Sequence, residues 1–178
     1  MIILVGASAS GKTAICKELI ETYGFCKFVT TTTRDMRINE VQNVDYHFVT
    51  KEEFNNKIKN DEFIEYVTYA NNYYGSEKKE IGDKKVIILE PLGLLSYLKM
   101  HDKRIVTFYI ECKEDVRKKR MEERKDNPLD IEKRLENDKL VFTKDIENEV
   151  DFVIDSSSLS IKELADTIYF LYLSKIKS

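Results

Sequence analysis

A glycine-rich turn, Gly6-Ala7-Ser8-Ala9-Ser10-Gly11-Lys12-Thr13, follows directly on the apolar run Ile2-Ile3-Leu4-Val5. Its spacing is that of a phosphate-binding loop: two glycines separated by four residues, then a lysine and a hydroxyl residue. Without Cβ atoms at the glycines, successive backbone N–H groups can turn inward around a polyphosphate. A helix that begins there adds its positive end to the same cradle. Lys12 can reach the β- and γ-phosphates, and the Thr13 hydroxyl can complete a Mg²⁺ shell. The chemistry expected of Gly6 to Thr13 and the adjoining Ala14 is binding of a nucleoside triphosphate, with Mg²⁺ beside it.

A second group of side chains suits a smaller anion. Arg34 and Arg37 stand three residues apart, and Tyr46, Tyr74 and Ser76 follow. Arginine forks and tyrosine hydroxyls match the dianionic phosphate of a mononucleotide through bidentate hydrogen bonds that lysine cannot reproduce. On the two arginines alone, a solvated loop fits as well or better. Glu65 adds a carboxylate to a strand-like run from Phe63 to Tyr69, where alternation puts it on one face with Phe63, Val67 and Tyr69. Such a carboxylate stands at a solvent edge or is held by donors, since burying it unpaired is costly. Guanine offers two donors side by side, N1–H and the 2-amino group; adenine has no such pair.

The composition narrows the classes. With 178 residues and a net charge of −3, one core is expected and no overall pull toward nucleic acid or anionic lipid. Cys16, Cys26 and Cys112 form no C-x-x-C pair, which suggests neither a disulfide framework nor a zinc site and fits a reducing cytoplasm. A strand beginning at residue 2 leaves no room for a leader, and no apolar run reaches the roughly 18 residues of a spanning helix. A soluble cytoplasmic monomer or homodimer is expected.

The elements that position these side chains follow from periodicity. The loop leads into a helix through about Thr22, with Ile15, Leu19 and Ile20 on one face and Gly24 as its stop. Phe25 to Thr33 reads as one strand, and Asp45 to Val49 as another. Thr50-Lys51-Glu52-Glu53 is a capping box for a short helix with Phe54 and Ile58 buried. Glu62 to Tyr69, a turn at Asn71-Asn72 and a return through Tyr73-Tyr74-Gly75-Ser76 read as a hairpin. Val86 to Leu89, Arg104 to Ile110 and Phe152 to Ile154 read as buried parallel strands. Lys113 to Arg124 and Leu129 to Val141 are charged helical stretches. Ile161, Leu164, Ala165, Ile168, Leu171 and Tyr172 form the inner stripe of a closing helix. The alternation predicts a single α/β domain, a P-loop NTPase-type parallel sheet with helices on both faces. The stretch 34–83 interrupts it as an insert at the carboxyl edge, where ligands of open α/β sheets bind.

The run Thr33-Arg34-x-x-Arg37-x-x-Glu40-x-x-x-x-Asp45-Tyr46-x-Phe48-Val49, with Glu53-Phe54, Glu62-Phe63-Ile64-Glu65 and Asn72-Tyr73-Tyr74-Gly75-Ser76, closely resembles guanylate kinases. The resemblance implies transfer of a phosphoryl group from ATP to GMP. It implies that Arg34, Arg37, Tyr46 and Tyr74 hold the GMP phosphate, with Glu40 steering the arginines. Glu65 and Ser76 would read guanine, with Thr30 on the base side and Glu90 contributing to the GMP site. Lys119-Arg120-x-x-x-Arg124 and Ile131-Glu132-Lys133-Arg134-Leu135 resemble the family's lid, about 117–139, in which Arg120, Arg124 and Arg134 close on the transferred group. Without the resemblance, those residues read as a solvated helix pair. Lys12, Arg34 and the three lid arginines are the catalytic set so implied, with core 1–33 and 84–178 around a GMP-binding insert.

The run Ile88-Leu89-Glu90-Pro91-Leu92-Gly93 departs from the family's pattern of two aspartates flanking an apolar residue and a later glutamine. Only Glu90 keeps a carboxylate, and Leu92 replaces the glutamine. The stretch between Ser76 and Val86 is shorter than usual, and Ile154-Asp155-Ser156 stands where an asparagine is common. dGMP is an expected second acceptor, because no residue here interrogates a 2′-hydroxyl. Two other readings stay open: a related kinase for another nucleotide or a ribose bisphosphate, and a non-catalytic module that binds phosphopeptides.

Overall fold

The computed structural model describes residues 1–177. Its centre is a five-stranded, wholly parallel sheet in the order β2-β7-β1-β8-β9, formed by Cys26–Lys27, Lys85–Ile88, Ile2–Val5, Val106–Glu111 and Phe152–Asp155. β1 is fully buried, and its side chains alternate between two cores. Ile2 and Leu4 face α1 (Lys12–Tyr23) and α7 (Ile161–Ile176), where Ile15, Leu19, Leu164, Ile168 and Tyr172 pack. Ile3 and Val5 face the other side, against Leu94 and Tyr97 of α3 (Pro91–Leu98). A sheet covered on both faces needs continuous apolar strands, and these runs supply them.

A second sheet, β4-β3-β6-β5, stands at the carboxyl edge of the first. It consists of His47–Phe48, Thr31–Thr32, Asn72–Glu77 and Phe63–Tyr69. α2 (Lys51–Lys59) closes one face, started by the expected capping box: Glu53 N–H donates to Thr50 Oγ1 (3.1 Å) and Thr50 N–H to Glu53 Oε2 (2.7 Å). Phe54 of that helix is fully buried, stacked on Phe63.

Phe25 to Thr33 is not one strand. It pairs with β7 as far as Phe28, whose N–H donates to Val86 O (2.9 Å). By Thr30, whose carbonyl accepts from His47 N–H (2.8 Å), it has joined the second sheet. β-Branched residues run through both halves, so periodicity could not reveal the change of partner. The face assigned to Glu65 also changes. A bulge between Phe63 and Glu65 puts Phe63 opposite Glu77 but Glu65 opposite Ser76. The extra residue breaks the alternation. Phe63 therefore points to α2 with Tyr66, and Glu65 faces the other way, paired with Ser76.

α4 (Glu114–Glu123) and α5 (Pro128–Val141) form a hairpin around Met121, Ile131 and Leu135. α3 and α6 (Lys144–Glu149) lie in stretches where the sequence reading assigned no helix.

Candidate active site

The phosphate loop is built so that its carbonyls are occupied. Lys12 Nζ donates to Gly6 O (2.5 Å) and Ala7 O (2.8 Å). Arg117 Nη1 donates to Ser8 O (3.3 Å), Arg120 Nη1 to Ala9 O (3.2 Å) and Ser156 Oγ to Ser10 O (2.7 Å). Gly11 O accepts from Ile15 N–H (3.0 Å) at the start of α1. Among the described residues, the N–H groups of Ala9, Gly11, Lys12 and Thr13 have no hydrogen-bond partner. Bonded carbonyls outside and unpaired amides inside, at a helix N-terminus, make an anion site. Gly6 has φ +151°, and a Cβ on it would lie 2.4 Å from Ile110 O, so no other residue fits where the loop leaves the sheet. Burial lowers the Lys12 pKa; the nearby carboxylates of Glu90 and Asp138 oppose that shift.

Two cavities meet at this loop. One, of about 690 Å³, is lined by Ala9, Gly11, Lys12, Thr13, Ala14, Arg120 and Arg124, together with Ser160 and Ile161 at the start of α7. The other, of about 510 Å³, runs between α1, β7 and the second sheet and holds Thr30, Tyr46, Glu65 and Ser76. Thr13 and Lys17 line both. Within the second cavity Ser76 Oγ donates to Glu65 Oε1 at 2.6 Å. Behind them, Tyr97 of α3 is 1% exposed, with Ser76 and Glu65 near its hydroxyl. Burial raises that phenol well above its ordinary pKa.

Beside the second cavity the Arg34 guanidinium lies over the Tyr46 ring (5.5 Å to its centroid), and Tyr46 meets Tyr74 edge-on at 6.2 Å. Arg34 Nη2 donates to Glu40 Oε1 (2.6 Å) and Arg37 N–H to Glu40 Oε2 (2.8 Å). These bonds hold Glu40 below the ordinary carboxylate range. Arg34, Glu40, Tyr46 and Tyr74 thus form one cluster. Arg37 stands exposed on its loop, and Glu90 is exposed at the N-cap of α3, outside the lining of both cavities. Arg124 lines the first cavity, but Arg134 does not. The two share one acceptor, Asp126 Oδ2, at 2.7 Å and 3.1 Å.

Sequence reasoning passed over Arg117, Asp138 and Tyr97, and it gave Ser156 no bond to the loop. Arg117 and Asp138 sit in helices whose charge density reads as solvated, yet both are more than nine-tenths buried. Only the packing of α4 and α5 on the loop reveals them.

A family model described as Guanylate kinase matches residues 1–169. The chain belongs to the guanylate kinase family. A guanylate kinase of Sulfurimonas denitrificans is 33% identical over 177 residues, covering 94% of this chain and 84% of the relative. A guanylate kinase of Clostridium tetani is 45% identical over 94 residues; the match takes in 51% of this chain and spans about half the length of that relative, 45%. The crystal structure of guanylate kinase from Anaplasma phagocytophilum superposes with a TM-score of 0.67, covering all of this chain and 86% of the other. At 23% identity, that is a likeness of fold. Guanylate kinases use ATP with a divalent metal.

Among the described residues no cluster of three or more His, Cys, Asp or Glu side chains could hold a metal, and no helix is long and apolar enough to cross a membrane. The donor set at the loop still fits a divalent ion that arrives with phosphates. The Thr13 side chain is exposed at the first turn of α1 and opens on both cavities. Mg²⁺ is typically held by substrate phosphates, water and one or two protein oxygens.

Proposed function

We propose that this protein transfers the γ-phosphoryl group of ATP to GMP, and to dGMP as a second acceptor, giving ADP and GDP or dGDP. The observation that carries the reading is the junction at Thr13: a cavity lined by unpaired amides opens there onto one lined by the Glu65–Ser76 pair. ATP occupies the first, its phosphates on the loop amides and Lys12. GMP occupies the second, its base against Glu65, Ser76 and Thr30 and its phosphate toward Arg34, Arg37, Tyr46 and Tyr74. The attacking GMP oxygen is already ionised, so no general base is needed, and catalysis is positioning and charge stabilisation. Lys12, Arg120, Arg124 and Arg134 neutralise the oxygens of the transferred group. The two helices over 117–139 act as a lid whose closure excludes water. The Thr13 hydroxyl would hold Mg²⁺ arriving with ATP, and the ion would supply further neutralisation of the phosphates. The cytoplasm is the compartment that the free thiols of Cys16, Cys26 and Cys112 suit.

ADP release measured across all nucleoside and deoxynucleoside monophosphates tests this. GMP and dGMP should exceed every other acceptor by at least about 10²-fold in kcat/KM. Lys12→Met should lose about 10²–10³ in kcat, the usual effect of one lost charge-stabilising contact. A better acceptor than GMP would sink the assignment.

A further inference from the structure

Asp138 lies on α5, one helical turn beyond Arg134, and is 4% exposed. Its carboxylate does not meet solvent. Ser8 N–H donates to Asp138 Oδ2 (3.0 Å), and the Ser8 hydroxyl donates to Oδ1 (3.1 Å). Arg117 of α4, 6% exposed, donates through Nη1 to Asp138 Oδ2 (2.5 Å) and to Ser8 O (3.3 Å). Both polar groups of Ser8's backbone are therefore tied to one buried ion pair. The next residue, Ala9, has φ +60°, a left-handed conformation that disfavours any residue with a Cβ. Its methyl group packs on Met121, Ile131 and Leu135, the small core between α4 and α5.

A buried ion pair is weak support for stability, because desolvating both charges offsets their attraction. What this pair adds is geometry. It holds the peptide before the left-handed residue from both sides, so the amides of Ala9, Gly11 and Lys12 keep their inward direction. It also fixes the height of α4 and α5 on the loop, and that hairpin carries Arg120, Arg124 at the C-cap of α4, and Arg134. We propose that Asp138, with Arg117 as its charge partner, is a positioning residue that sets the phosphate loop for the triphosphate. The inference rests on the reading of this loop as the ATP site.

The test uses two variants. Asp138→Asn replaces one acceptor with an NH₂ that opposes Ser8 N–H or Arg117. The double variant Arg117→Leu/Asp138→Leu removes both charges while keeping apolar bulk, and keeps the test open where the single variant fails to fold. Calorimetric titration with a non-hydrolysable ATP analogue and separately with GMP, together with amide exchange at Ser8, gives three readouts. The expected result is an analogue Kd raised about tenfold, a GMP Kd within about twofold of wild type, and faster exchange of the Ser8 amide. A misformed loop lowers apparent affinity by the fraction of molecules competent to bind, and only at the site concerned. An analogue Kd within about twofold of wild type in a cooperatively melting variant overturns the proposal. So does an equal loss for both ligands, which marks the pair as a general prop. If wild type itself fails to bind the analogue, the ATP reading falls instead, and the Ser8 exchange still decides whether the clamp forms.

Discussion

The Ser76 hydroxyl donates to Glu65 at 2.6 Å across the β5–β6 pair, and the bulge after Phe63 is what brings the two opposite each other. Without that extra residue Glu65 would share the face of Phe63 and point into the packing of α2. With it, a carboxylate reaches the cavity already oriented by a neighbour.

Glu65→Gln should therefore strike guanine recognition. The carboxylate accepts from two adjacent donors, whereas a carboxamide presents an NH₂ against one of them. Sites built on such bonds discriminate strongly, because the wrong group leaves buried polar atoms unpaired. A fall of at least about 10²-fold in kcat/KM for GMP is expected, with a far smaller fall for AMP. Equal losses for all acceptors would mean that Glu65 supports the hairpin and does not read the base.

Asp126 holds Arg124 and Arg134 together, but both arginine side chains are about half exposed, 55% and 51%. Ion pairs of that kind contribute about 0–1 kcal/mol, so phosphate oxygens can displace the carboxylate easily. Asp126→Asn should change stability in urea by less than about 1 kcal/mol and lower the KM for ATP two- to threefold, on the order expected from removing so weak a competitor. A KM raised severalfold would show that Asp126 orients the arginines.

Gly75 has no room for a side chain. A Cβ there would lie 2.8 Å from two atoms of the Phe63 ring and 3.1 Å from Phe54, which is itself stacked on Phe63 at 4.4 Å between centroids. Gly75→Ala should destabilise the protein by about 1–3 kcal/mol, the usual effect of overpacking a filled core. Equilibrium denaturation measures it; a loss under about 0.5 kcal/mol would show that the two rings yield freely.

Glu77 gives a pH signature. Burial pushes its pKa up, but hydrogen bonds from Lys57 (2.8 Å), Thr31 (2.5 Å) and Lys79 (2.9 Å) outweigh that, and the result is about 2 against an ordinary 4.5. A carboxylate with a depressed folded pKa stabilises fully above the ordinary value, and that contribution is lost as pH falls from about 4.5 through about 2. Glu77→Gln should cost about 3 kcal/mol at neutral pH, as breaking a buried pair does. The gap between variant and wild type should close across that acid window. A gap that stays constant down to pH 2 would assign the loss to packing.

The chain's sequence carried much of this. The strand-loop-helix at Ile2 to Tyr23 is legible because its glycines and buried strand leave one arrangement, and the Thr50–Glu53 cap is legible because it is local. Residue type and spacing also single out Lys12, Thr13, Glu65 and Ser76, which line the two cavities. What stayed hidden depends on contacts distant in sequence. The Phe25 to Thr33 segment changes sheets without changing its β-branched character. The Phe63 bulge is one residue with no turn signal. Arg117 and Asp138 are charged residues on charged helices, and only their burial against Ser8 separates them from a solvated face.

The central strand has a further consequence for how the chain folds. Ile2 pairs with Val86 on one side and Val106 on the other, so β1 has no neighbour until β7 (Lys85–Ile88) has left the ribosome and lacks its second until β8 (Val106–Glu111) follows. Closing such long loops is slow, while the β5–β6 hairpin needs only adjacent residues. The nascent chain therefore carries Ile2-Ile3-Leu4-Val5 as an unpaired apolar segment until β7 emerges and with one edge open until β8 does, the condition under which chains aggregate or engage chaperones. Limited proteolysis of stalled chains should find the hairpin region protected first, and the segment ending in the phosphate loop protected only after β8 emerges. Protection of residues 2–11 in chains shorter than about 105 residues would refute that order, since the register leaves β1 with only one neighbour there.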